Sequence, residues 1–142
     1  MGRDRRVISR SPEETIAYGV QLGSSLPPHA ILCFFGDLGA GKTTFIKGIV
    51  EGVTKISSHD VTSPTFVYLN VYDTVYHFDL YRIHDLNEFL SLGFEEYFFA
   101  GGICCIEWSE KIAPLIPSHA LKVSLSHLDS TTRLIEISKN SG

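Results

Sequence analysis

The chain has 142 residues, 44% of them hydrophobic and 20% charged, a length that closes one core and a composition unlike that of a disordered chain. Its net charge of -4 excludes the broad positive field by which a stand-alone nucleic-acid binder displaces counterions, so any RNA contact is expected to be indirect and DNA is not an expected partner. A single domain with no membrane span or apolar leader is expected, and with it a cytoplasmic location.

At the start, Arg3, Arg5, Arg6 and Arg10 form a small basic cluster that reads as a solvated leader. Ser11, Pro12 and Glu14 then combine an N-cap, a first-turn proline and a capping-box acid, predicting a helix over residues 11–26 that Pro27 and Pro28 stop. Residues 30–35 are wholly apolar, as in a strand buried on both faces, and lead into Gly36. From residue 43 to 53, Ile46, Ile49, Val50 and Val53 recur at helical spacing.

Between that strand and helix lies Gly36-Asp37-Leu38-Gly39-Ala40-Gly41-Lys42-Thr43, a complete G-x-x-x-x-G-K-[ST] phosphate loop. Its glycines let backbone N–H groups approach a β-phosphate, and the helix adds the positive end of its dipole. Lys42 is expected to bridge the β- and γ-phosphates, the Thr43 hydroxyl to ligate magnesium, and Thr44 to assist at the α-phosphate.

After a polar stretch, Ser63-Pro64-Thr65-Phe66 forms a rigid turn suited either to contacting a γ-phosphate or simply to reversing the chain. Residues 66–73 and 74–82 read as an antiparallel hairpin turning near Asp73 and Thr74. Period-two alternation sets His77, Asp79 and Tyr81 on one face, with Phe78 and Leu80 on the other. Asp79 is a candidate for orienting or deprotonating water and Arg82 for neutralising phosphate charge; the alternative is a set of solvent-exposed hairpin residues.

Residues 85–99 suggest short helices broken at Gly93, and residues 103–106 a second buried strand ending in Glu107 and Trp108. An acid at that place is where phosphate-loop enzymes hold magnesium, directly or through water; the plainer reading is a strand-end acid facing solvent. Trp108 is more in keeping with core or interface than with catalysis. The three cysteines, Cys33, Cys104 and Cys105, lie in apolar runs and read as buried thiols, the adjacent pair pointing to opposite faces. Residues 121–128 and 133–138 are two alternating strands joined by a polar turn.

The loop with Thr44, Ser63-Pro64-Thr65-Phe66, His77-Phe78-Asp79-Leu80-Tyr81-Arg82 and Ile106-Glu107-Trp108-Ser109-Glu110 together resemble the TsaE (YjeE) family, in order and spacing from about residue 11 to 138. That family comprises small bacterial ATPases needed for the threonylcarbamoyl modification of adenosine 37 in tRNAs reading codons that begin with A. The resemblance implies a three-layer α/β/α phosphate-loop fold with a mixed sheet, ATP with Mg2+, slow hydrolysis, and partnership with TsaB and TsaD, whose complex performs the transfer. By the same resemblance Thr43 and Glu107 are magnesium contacts, Asp79 is needed for hydrolysis, and Ser11 and Arg133 approach the nucleotide. Either Asp79 or Glu107 can meet the attacking water.

Two other classes share the loop. A small-molecule kinase generally needs several arginines after it to clamp acceptor and γ-phosphate, and only Arg82 and Arg133 follow Lys42. A GTP-dependent switch would carry an Asn-Lys-x-Asp base-reading pattern, which is absent, so adenine is favoured.

Overall fold

Seven strands share one mixed sheet in the computed structural model, which describes residues 5–36, 40–61 and 68–139. The elements in chain order are β1 (Arg5–Ser9), α1 (Pro12–Ser25), β2 (Ile31–Gly36), α2 (Lys42–Thr54), β3 (Leu69–Tyr72), β4 (Val75–Asp79), α3 (Leu86–Ser91), β5 (Ile103–Glu107), β6 (Leu121–His127) and β7 (Arg133–Lys139). Short 3-10 helices occupy Ser58–Asp60, Phe94–Phe99 and Ser109–Leu115. Across the sheet the order is β1-β7-β6-β2-β5-β4-β3. The central strands β6, β2, β5 and β4 run parallel, while β3 and the β7–β1 pair add antiparallel edges.

Alternation along the strands sorts the core into two layers. Leu32, Phe34, Val75, Cys105, Val123 and Leu125 face α1 and α2 with Phe45, Ile46, Ile49 and Val50. On the other side Ile31, Cys33, Phe78, Cys104 and Ile106 face Phe89 of α3 and Phe98 and Ile112 of the 3-10 helices. The result is an α/β sandwich in three layers, the second built from shorter helices. Cys104 and Cys105 do point to opposite faces, and all three thiols are free and buried.

Helix α1 begins as its sequence predicts: the Glu14 N–H donates to Ser11 Oγ at 3.0 Å, and Glu14 Oε1 accepts the Arg10 N–H at 2.9 Å. It then lies tightly on α2. A Cβ added at Gly19 or Gly48 would collide with the Phe45 or Ile16 carbonyl oxygen, so the helices approach at backbone distance.

Two expectations are corrected. Of the basic start, Arg5 and Arg6 are exposed but belong to β1, antiparallel to β7, rather than to a leader, and Arg3 lies outside the described residues. Only Val7 and Ser9 turn inward while Arg5, Arg6 and Ile8 stay exposed, so β1 depends on its distant partner and has little local signal. The strand expected to reach residue 82 ends at Asp79. There Asp79 Oδ1 accepts the Tyr81 N–H at 3.2 Å and turns the chain. Among the described residues no helix is long and apolar enough to cross a membrane.

Candidate active site

Strand β2 delivers Gly36, and α2 begins six residues later at Lys42. Gly36 has φ 146°, and any Cβ there would collide with the Leu125 carbonyl oxygen of β6, so only glycine fits. Gly41 caps α2 in a left-handed conformation, φ 102°, and offers that helix no side-chain cap. Ala40 is buried, and Thr43 and Thr44 are half-buried. Asp37, Leu38 and Gly39 lie outside the described residues, as do Ser63, Pro64, Thr65 and Phe66.

Lys42 turns back over this opening. Its Nζ donates to the Gly36 carbonyl oxygen at 2.9 Å, stands 4.0 Å from Glu107 Oε1, and lies 5.7 Å from the centre of the Trp108 ring. One ammonium thus connects the end of β2, the start of α2 and the end of β5.

The acids meet through sheet register. β4 and β5 run parallel with Asp79 opposite Glu107, and both residues share the α2 side of the sheet with Val75 and Cys105. Glu107 is only 6% exposed, which overturns the reading of a solvent-facing acid. Burial, then the neighbouring Glu107 charge, holds the Asp79 carboxyl above the usual carboxylate range, against the Tyr81 N–H, His77 and Lys42, which pull it down. His77 is wholly buried, its Nε2 2.8 Å from Glu107 Oε2. The exposed-hairpin reading therefore fails for His77 and holds for Tyr81, 60% exposed, and Arg82.

Ser11 and Arg133 come to the same edge of the sheet as the loop, because β1 and β6 both end there and Arg133 starts β7 opposite Ser9 and His127. The Ser9 and Thr15 hydroxyls, 2.6 Å apart, both reach the Ser11 carbonyl oxygen, at 2.8 and 3.3 Å. The Arg133 guanidinium donates to the Asp129, Ser130 and Thr132 carbonyl oxygens at 3.3–3.4 Å.

Three features of the site escape sequence reasoning. Trp108, expected in the core or at an interface, is not core: it is 37% exposed in a left-handed conformation and packs 5.1 Å from the Tyr81 ring. Lys111 Nζ donates to the Tyr81 and Ile83 carbonyl oxygens and ties the Ser109–Leu115 helix to the chain leaving Asp79. Ser9 with Thr15 supports the turn into α1. These contacts link residues far apart in sequence or hidden in a weak strand, and local pattern carries no signal for them.

A family model described as threonylcarbamoyl adenosine biosynthesis protein TsaE matches residues 9–135. The chain is similar to the tRNA threonylcarbamoyladenosine biosynthesis protein TsaE of Treponema pallidum, 36% identical over 135 residues that cover 93% of this chain and 98% of that one. The Bacillus subtilis protein of the same name is 38% identical over 131 residues, 88% of this chain and 79% of its own. That of Rickettsia felis is 40% identical over 139 residues, 95% and 80% of the two chains. Among solved structures, the crystal structure of YdiB from Bacillus subtilis superposes with a TM-score of 0.78 at 30% identity, covering 99% of this chain and 88% of that one. With the match running from the end of β1 into β7 and so taking in the loop, Asp79 and Glu107, the chain belongs to the TsaE family of tRNA threonylcarbamoyladenosine biosynthesis proteins.

Proposed function

We propose that this chain is a magnesium-dependent ATPase of slow turnover that acts on the TsaB–TsaD transferase complex during tRNA threonylcarbamoyladenosine formation. The observation that carries the reading is the placement of Lys42, held on the Gly36 carbonyl and 4.0 Å from the buried Glu107 carboxylate at the mouth of α2. A phosphate chain suits this place because the N-cap of α2 is a glycine with no side chain to cap the helix, and the helix dipole favours an anion there.

In this reading the loop residues Gly36 to Thr44 meet the phosphates through backbone N–H groups, and Lys42 neutralises the β- and γ-oxygens as a point charge. A buried carboxylate beside a threonine at the helix start is the hard oxygen donor set that magnesium takes, so Glu107 and Thr43 would hold the ion. When bound, magnesium supplies neutralisation of the charge on the transferring phosphoryl group. Asp79 stands beside Glu107 and orients the attacking water or takes its proton; its raised pKa strengthens it as a base. Ser11 and Arg133, at the same sheet edge, bound the rest of the nucleotide. The chain would serve tRNA in the cytoplasm without gripping it, its net charge being -4.

ATP binding would drive association with TsaB and TsaD, and hydrolysis would reset the transferase between rounds. A pull-down of TsaB and TsaD with ATP, with a non-hydrolysable analogue and without nucleotide tests this. Association is expected with ATP and the analogue and weak without nucleotide; association indifferent to nucleotide would remove the resetting role.

A further inference from the structure

A wholly buried imidazole in the middle of a sheet needs a reason. His77 occupies β4 on the same face as Val75 and opposite Cys105 of β5, where an aliphatic residue would satisfy the packing. Its Nδ1 is the one buried side-chain nitrogen or oxygen among the described residues without a hydrogen-bond partner. Such an orphan is a net cost, and it is smallest when Nδ1 is a bare lone pair rather than an N–H. That tautomer puts the proton on Nε2, 2.8 Å from Glu107 Oε2, where a carboxylate can only accept.

The two oxygens of Glu107 are thereby given different surroundings. Oε2 is turned inward and taken by His77, while Oε1 is turned toward Lys42 and the start of α2. Glutamate has three side-chain torsions, and Glu107 is the last residue of β5, so neither its own backbone nor a following strand residue fixes which oxygen faces the loop.

We infer that His77 is the positioning residue for Glu107: its Nε2–H holds one carboxylate oxygen so that the other presents its lone pairs to a divalent cation at the phosphate loop. This rests on the reading of Glu107 as a magnesium contact and adds to it the residue that aims that contact. An outer hydrogen bond of this kind orients a metal-binding carboxylate, and its loss typically weakens metal affinity by about 10–100-fold.

The test has two arms, both on the full chain. In the first, the metal-free protein with nitrogen-15 histidine is studied by NMR. His77 should show Nε2 protonated and Nδ1 bare, and Glu107→Ala should shift the Nε2–H signal and speed its exchange with solvent. A bare Nε2 with the proton on Nδ1, or a signal indifferent to Glu107→Ala, would overturn the inference.

In the second arm, calorimetry follows binding of a non-hydrolysable ATP analogue as magnesium is varied. The variants are His77→Gln, whose amide reaches Glu107, His77→Asn, whose amide stops short of it, and His77→Phe, which has no donor. The magnesium requirement should rise by about 10–100-fold in His77→Asn and His77→Phe and stay within about threefold of the parent in His77→Gln. Analogue binding in the presence of a chelator should be alike in all four proteins. An unmoved magnesium requirement in Asn and Phe, or a Gln variant as impaired as Asn, would overturn the inference while leaving Glu107 as a metal contact. A parent protein whose analogue binding ignores magnesium would instead remove that contact, and the inference with it. Should the Asn and Phe variants fail to fold, judged by circular dichroism, the NMR arm on the parent decides.

Discussion

Asp79 and Glu107 stand opposite one another on adjacent parallel strands, so the proposed site carries two carboxylates at one sheet edge with Lys42 as the cation facing them. Burial, and after it the Glu107 charge at that spacing, disfavours ionisation of Asp79.

The first prediction follows from the sign of that shift. A carboxyl whose pKa is higher folded than unfolded binds more protons when folded, so its ionisation costs stability above the folded pKa and that cost vanishes below the usual carboxylate value. Asp79→Asn keeps the acceptor for the Tyr81 N–H while removing the charge. It should therefore melt higher than the parent at pH 7 and at the same temperature near pH 3, while losing ATP turnover. Thermal melts at the two pH values check the stability, and phosphate release checks the turnover.

The second concerns the seam between α1 and α2. At Gly48 a new methyl group meets the Ile16 backbone, which cannot move aside as a flexible side chain would. Gly48→Ala should destabilise the fold by about 1–3 kcal/mol despite alanine's better helix propensity. Urea unfolding should show the lowered midpoint, and Gly93→Ala, where no described atom lies within 4 Å, serves as a comparison strained by φ alone.

The third uses the thiols. Burial raises all three cysteines, pushing Cys104 up to about 12 and Cys105 well above the ordinary thiol range. The thiolate is the reactive form, so a disulfide reagent at pH 8 should leave Cys33, Cys104 and Cys105 untouched in the native protein and titrate all three after denaturation. Rapid reaction of one native thiol would contradict the packing described for β2 and β5.

Parts of this architecture were legible because they are local. The passage from β2 through Gly36 to α2 shows in an apolar run, a glycine pattern and a helical repeat that are contiguous in the chain. So do the Ser11 cap, the Asp73–Thr74 turn and the break at Gly93. The opposition of Asp79 and Glu107, 28 residues apart, depends on the register of β4 against β5, which a sequence does not state even when each acid is suspected separately. His77 shows the limit most clearly. Alternation assigned it to a polar face that could equally serve a site or face solvent, and the histidine is wholly buried on the side of the sheet that carries Val75 and Cys105. β1 was hidden for the opposite reason, as an edge strand with two arginines whose partner among the described residues, β7, is at the far end of the chain.

The central claim is that the loop from Gly36 to Thr43 grips ATP through Lys42, and the chain holds its own reporter. Trp108 is the only tryptophan, and the Lys42 ammonium lies 5.7 Å from its ring. Titrating ATP with magnesium while following tryptophan fluorescence should give a saturable change in the parent protein and none in Lys42→Ala, whose circular dichroism is checked in parallel. An identical, saturable response in folded Lys42→Ala, or none in the parent while ATP is present in excess, would contradict it.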